Sequence, residues 1–86
     1  MHSVVSVRPL EGYRLEVTFE DGGKKEIDVS PFLYGEVFEP LKDYEIFKQV
    51  KVDPILGTIV WPTGADFCPD FLYQMKQEEK FARRLE

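Results

Sequence analysis

The chain has 86 residues, a formal net charge of −5 and a 43% hydrophobic composition. That length holds one domain with one core, burying about 60–65% of the unfolded surface, and the composition excludes a disordered chain. No apolar run approaches the roughly 20 residues needed to cross a bilayer, and net acidity argues against nucleic-acid binding, which requires clustered Lys and Arg.

The first strand is predicted over residues 3–10, with Val5 and Val7 on one face and Val4 and Ser6 on the other. Pro9 marks its end or an edge position, because proline cannot donate to a ladder. Tyr13, Leu15, Val17 and Phe19 then alternate with Arg14, Glu16, Thr18 and Glu20, the pattern of a half-buried second strand. Asp21-Gly22-Gly23 supplies the positive φ of a tight hairpin, and residues 24–29 return with Ile27 and Val29 inward. Ser30-Pro31 reads as an N-cap and first helical position, so a helical turn is expected over 31–34, ended by Gly35. Phe38 and Leu41 are expected to plug the core from the following loop. Asp43 caps a short helix over 44–49, with Ile46, Phe47 and Val50 at helical spacing.

Residues 53–66 are the densest part of the sequence. Asp53-Pro54 followed by Gly57 reads as a turn, Thr58-Ile59-Val60-Trp61 as a strand pairing back onto 51–53, and Pro62 as its stop. Ile59 and Trp61 share a face there. A C-terminal helix begins near Pro69, with Phe71, Leu72 and Met75 as its apolar stripe. Beyond it, residues 76–86 read as a projecting helical tail or a homodimer contact, with Glu79 and Arg83 four apart in the favourable order. Leu85-Glu86 also fits the remnant of an expression tag.

The residues that carry chemistry are few. His2, the lone histidine, sits at a terminus expected to fray, so no base is at hand for a serine or cysteine nucleophile. Cys68 precedes the expected helix, where a thiol is either activated by the helix N-terminus or serves as a cap or a small packed group. A single cysteine gives no disulfide and so no support for secretion, and no signal peptide is legible. One histidine and one cysteine cannot build a zinc site; Asp53, Asp66 and Asp70 suit turns and caps better than a calcium or magnesium loop. Gly22-Gly23 lies in a hairpin rather than at the opening of a helix, so no phosphate loop is present. Trp61-Pro62 is the best binding feature: buried, Trp61 is a core residue, and exposed, it anchors a partner.

Val4-Val5-Ser6-Val7, the run from Tyr13 to Gly22, Asp28-Val29-Ser30-Pro31, Phe38-Glu39-Pro40-Leu41-Lys42-Asp43 and the segment from Asp53 to Asp66 together resemble the domain-of-unknown-function 2442 family. The resemblance covers roughly residues 3–74 and is strongest in Gly57-Thr58-Ile59-Val60-Trp61-Pro62-Thr63-Gly64-Ala65-Asp66 with the later Pro69. Cys68 departs from the small residue, serine or alanine, that the resemblance implies before the proline. The family has no established activity. The resemblance implies a bacterial protein, often encoded beside another small protein in an arrangement suggestive of toxin–antitoxin pairs.

The expected fold is α+β over residues 1–86 as one domain: an antiparallel three-stranded meander, a second hairpin, short helices and a C-terminal helix. The expected function is a cytoplasmic protein-interaction module without an active site or cofactor, antitoxin-like, with Trp61, Pro62 and Asp66 as its surface and an adjacent gene's product as partner. The alternative is a small enzyme or ligand-binding protein using Cys68 or Asp53, Asp66 and Asp70.

Overall fold

Alternation over residues 13–29 builds a sheet with one apolar face. In the computed structural model, which describes residues 2–75, strands β1 (Val4–Leu10), β2 (Arg14–Phe19) and β3 (Lys24–Asp28) form an antiparallel sheet in the order β1-β2-β3. Leu15 lies opposite Ile27 across the β2–β3 ladder, and both are fully buried together with Val17 and Val29. Asp21 closes the hairpin between them: its Oδ1 accepts from the Gly23 N–H at 2.8 Å while Gly22 takes φ +90°.

The faces of β1 differ from simple alternation. Val4 pairs with Phe19 and Ser6 with Thr18, so one extra residue sits in β1 between them. This bulge resets the phase, turning Val4 inward and leaving Val5 55% exposed, with Val7 half-buried. Tyr13 also departs from the strand pattern. It enters β2 at φ +59°, a left-handed conformation unusual for a non-glycine residue, and its hydroxyl donates to the Lys42 carbonyl.

Ser30 does not cap a helix. The Asp28 side chain accepts from the Ser30 N–H at 2.9 Å, and the chain then makes a 3₁₀ turn over Ser30–Phe32 with no side-chain cap. A second 3₁₀ turn, Glu39–Lys42, occupies what reads as loop in the sequence and seats Leu41 in the core. Helix α1 (Tyr44–Phe47) is capped as expected, Asp43 Oδ1 accepting from the Glu45 N–H at 3.0 Å.

The second hairpin pairs β4 (Lys51–Asp53) with β5 (Thr58–Val60). Asp53 Oδ1 accepts from the N–H groups of Ile55 and Leu56, at 2.9 and 3.1 Å, and so shapes the turn. Gly57 is required twice over: it sits at φ +70°, and a Cβ there would lie 2.9 Å from Ser3 Oγ. Its carbonyl accepts from the Val4 N–H at 2.9 Å, which joins the hairpin to the bulged end of β1.

Helix α2 (Pro69–Gln74) closes the fold. Of its expected stripe only Leu72 is fully buried; Met75 is half-buried and Phe71 stays 43% exposed. The expected tail helix, the dimer contact, the Glu79–Arg83 pair and Leu85-Glu86 all lie outside the described residues. No helix among the described residues is long and apolar enough to cross a membrane.

Candidate functional site

Trp61, Pro62 and Asp66 separate on folding. Trp61 is 3% exposed, and its Nε1 donates to the Phe47 carbonyl at 2.8 Å, so it belongs to the core and not to a surface. Pro62 and Asp66 are exposed. The turn after β5 explains the split: the Trp61 N–H bonds to the Ala65 carbonyl at 2.9 Å and Val60 bridges Asp66. Backbone alternation past that bridge sends Ala65 and Phe67 inward and Asp66 and Cys68 outward.

Beside this turn lies an open groove of about 420 Å³. One wall comes from Phe32 in the first 3₁₀ turn, followed by Tyr34 and Phe38; the other comes from the segment after β5 and from Phe71 on α2. The floor is aromatic. Phe67 and Phe71, four residues apart, stack with centroids 6.1 Å apart and planes 11° apart, while Phe32 meets Phe71 edge-on at 5.6 Å. Phe38 packs on Phe67 at 5.2 Å. Tyr34, 69% exposed, stands at the mouth. A second hollow of about 310 Å³ shares Asp66, Phe67 and Cys68 with the first and ends at Leu56. The apolar surface thus continues toward the hairpin tip, where Ile55 is 93% exposed.

Of the alternative set of residues, the groove brings together Asp66 and Cys68 alone. Asp53 is committed to its turn, and Asp70 lies in the first turn of α2. Cys68 is exposed and precedes α2 without a side-chain capping bond, in keeping with its departure from serine. His2 is remote from that thiol in role: it stacks on Tyr73, centroids 3.6 Å apart and planes 4° apart. It is half-buried there rather than frayed. Among the described residues no three of His, Cys, Asp and Glu gather as a metal-holding group.

Tyr73 anchors the opposite face of α2. Its hydroxyl donates to Asp21 Oδ2 at 2.9 Å, and its ring meets Phe19 edge-on at 4.9 Å. The Gly23 N–H, and then the Tyr73 hydroxyl, hold the Asp21 carboxyl below its ordinary value, while the carboxylate pushes the Tyr73 phenol up. Lys25 Nζ donates to the carbonyls of Tyr73 and Met75, which end the helix, and burial pushes its ammonium below the usual lysine value. Helix α2 is therefore seated on the meander by polar contacts on one side and presents Phe71 to the groove on the other.

The groove is not apparent in the sequence. Phe32 and Tyr34 pass as part of a helical turn, and Phe38 and Phe71 as core. The usable signal is Phe67–Phe71 at four-residue spacing across a helix start, facing a Phe-Leu-Tyr run that only Leu33 buries.

The family described as "protein of unknown function (DUF2442)" matches residues 4–78, most of the chain. Among curated proteins and solved structures, nothing matches.

Proposed function

We propose that this chain, which belongs to the DUF2442 family, is a protein-interaction module that seats a segment of its partner in the phenylalanine-floored groove. The observation that carries the reading is an aromatic floor left open at its mouth, where Tyr34 is 69% and Phe71 43% exposed. A small domain that can bury its aromatics yet leaves a contiguous apolar surface exposed has a use for that surface. Aromatic side chains in such places are favoured anchors of binding energy. On this reading the chain has no active site of its own. In its narrower form the chain is the acidic, antitoxin-like member of a two-protein pair in the cytoplasm, its partner the product of an adjacent gene.

Calorimetric titration with that purified product tests the pair. Micromolar or tighter binding is expected, weakened by about tenfold or more in Tyr34→Ser and Phe71→Ser, since anchor truncations cost upward of 1 kcal/mol. Absence of binding by the unaltered chain would sink the pair, and binding indifferent to both substitutions would sink the groove. A ligand site using Cys68 and Asp66 is the second reading, favoured by a volume within the roughly 300–1,000 Å³ of small-molecule pockets. A Cys68 labelling rate no faster than that of an ordinary free thiol would remove its reactive thiol.

A further inference from the structure

We infer that the segment seated in the groove is cationic: large apolar anchors bracketed by lysine or arginine. This rests on the interaction-module reading and adds the chemistry of the partner. The charges of the molecule are unevenly partitioned around the groove. The two stretches that wall it, residues 30–41 and 61–75, contain Glu36, Glu39, Asp66 and Asp70 and no lysine, arginine or histidine. Asp66 lines the groove itself, Asp70 precedes Phe71, and Glu36 and Glu39 bracket Val37 and Phe38.

The cations of the described residues lie outside these two stretches, and most are engaged; Lys24 on β3 and Lys51 on β4 are in no ion pair among the described residues. Arg8 pairs with Glu16 at 3.2 Å and Arg14 with Glu26 on the meander, Lys48 pairs with Glu45 at 3.1 Å, and Lys25 holds the end of α2. Lys42 reaches Glu39 only at 3.9 Å, between two well-exposed side chains. Among the described residues no ion pair involves Glu36, Asp66 or Asp70. An apolar floor whose acidic rim, among the described residues, has only Glu39 paired selects a basic rim on whatever covers it, because opposite potentials steer docking and like charges reject wrong partners. The same field argues against a second copy as occupant: two such faces would bring like charges together, on chains that each carry −5.

The test uses three fluorescein-labelled peptides of equal length with a common Leu-Phe-Trp centre, flanked by lysines, serines or glutamates, read by anisotropy against the full chain. The lysine peptide is expected to bind about tenfold tighter than the serine peptide, the sum of several rim pairs each of modest worth. That advantage should shrink severalfold in high salt. The double substitution Asp66→Asn with Asp70→Asn should reduce the lysine peptide's affinity and leave the serine peptide's unchanged, whereas Tyr34→Ser should weaken both. Equal binding of all three peptides would overturn the cationic partner and leave the module intact. Binding of none would overturn both. Tighter binding of the lysine peptide to Phe81→Ser than to the unaltered chain would also overturn it, by assigning the groove to this chain's own Lys80-Phe81-Ala82-Arg83-Arg84. A dimer in sedimentation that Tyr34→Ser dissolves would replace the partner with a second copy.

Discussion

Two aromatic clusters share a wall in this domain and are finished in opposite ways. In the first, Phe47 is packed by Trp61 at 5.9 Å, Tyr13 at 5.2 Å and Tyr44 at 5.5 Å. Every polar tip in it is tied to a backbone carbonyl: Trp61 Nε1 to Phe47 at 2.8 Å, the Tyr44 hydroxyl to Leu10 at 3.0 Å, and the Tyr13 hydroxyl to Lys42. In the second, Phe32, Phe38, Phe67 and Phe71 meet at similar ring distances but have no polar tip, and one side is left open. Phe67 touches Trp61 at 5.9 Å, so the clusters are continuous. The difference teaches what each is for. An N–H or O–H fixes a ring's direction and holds distant segments together, which suits a seal. A phenylalanine surface carries no such commitment and gains most when something else covers it.

The largest expected effect lies in the sealed cluster. Trp61→Ala removes a buried ring and leaves the Phe47 carbonyl only the longer bond from the Val50 N–H at 3.3 Å, and should cost about 3–5 kcal/mol in urea unfolding. Against a total of roughly 5–15 kcal/mol for a domain, that is a large fraction. A loss under about 1 kcal/mol would break the distinction between the clusters, because a truncated seal must cost at least a large cavity. Tyr44→Phe sharpens it: the ring stays and only the bond to Leu10 goes, for about 0.5–1.5 kcal/mol. Stability unchanged by Tyr44→Phe would mean that packing alone closes this side. Tyr34→Ser, at the mouth of the open cluster, should move stability by no more than about 0.5 kcal/mol while weakening peptide binding. A substantially larger loss in thermal unfolding would place Tyr34 among the structural rings and end its role as an anchor.

The open cluster was not legible in the sequence, and the sealed one only in part. Strand alternation puts Ile59 and Trp61 on one face without saying that it is the inner one, so Trp61 reads as a core residue or as a surface anchor. Alternation in β2, by contrast, does place Leu15 and Val17 inside. Those are local periodicities that a two-residue repeat records faithfully. The β1 bulge breaks such a repeat without any residue to announce it, because it arises where β1 pairs with Phe19 and joins Gly57 of the second hairpin. Ser30 misleads for a related reason: the Asp28 side chain takes the Ser30 N–H, and the Phe32 and Leu33 N–H groups that a Ser30 cap would hold go to the Val29 and Ser30 carbonyls. The groove needs three separated segments to meet, and nothing local distinguishes a phenylalanine that lands on its floor from one in the core. Phe38 shows the difficulty, since it packs on Trp61 at 6.4 Å and lines the groove as well.

Helix α2 carries both kinds of finish, and the smallest expected effect tests how they are joined. Phe71 opens onto the groove, while Tyr73 is tipped by a hydroxyl bound to Asp21. The Asp21 carboxyl is held below its ordinary value of 3.8, first by the Gly23 N–H and then by Tyr73. A carboxyl depressed on folding stabilises the fold above its unfolded value and loses that contribution as pH falls through the folded one. The window in which α2 loosens on this side is therefore acidic, below about 3.8. In Tyr73→Phe the Gly23 donor remains, so an NMR titration should find the Asp21 midpoint raised part of the way and still below 3.8. The stability difference between the unaltered chain and Tyr73→Phe should narrow as pH drops through that midpoint. A midpoint identical in both chains would mean that Tyr73 does not hold Asp21 in solution, and that Lys25, Phe19 and the buried Leu72 alone set the angle at which Phe71 meets the groove.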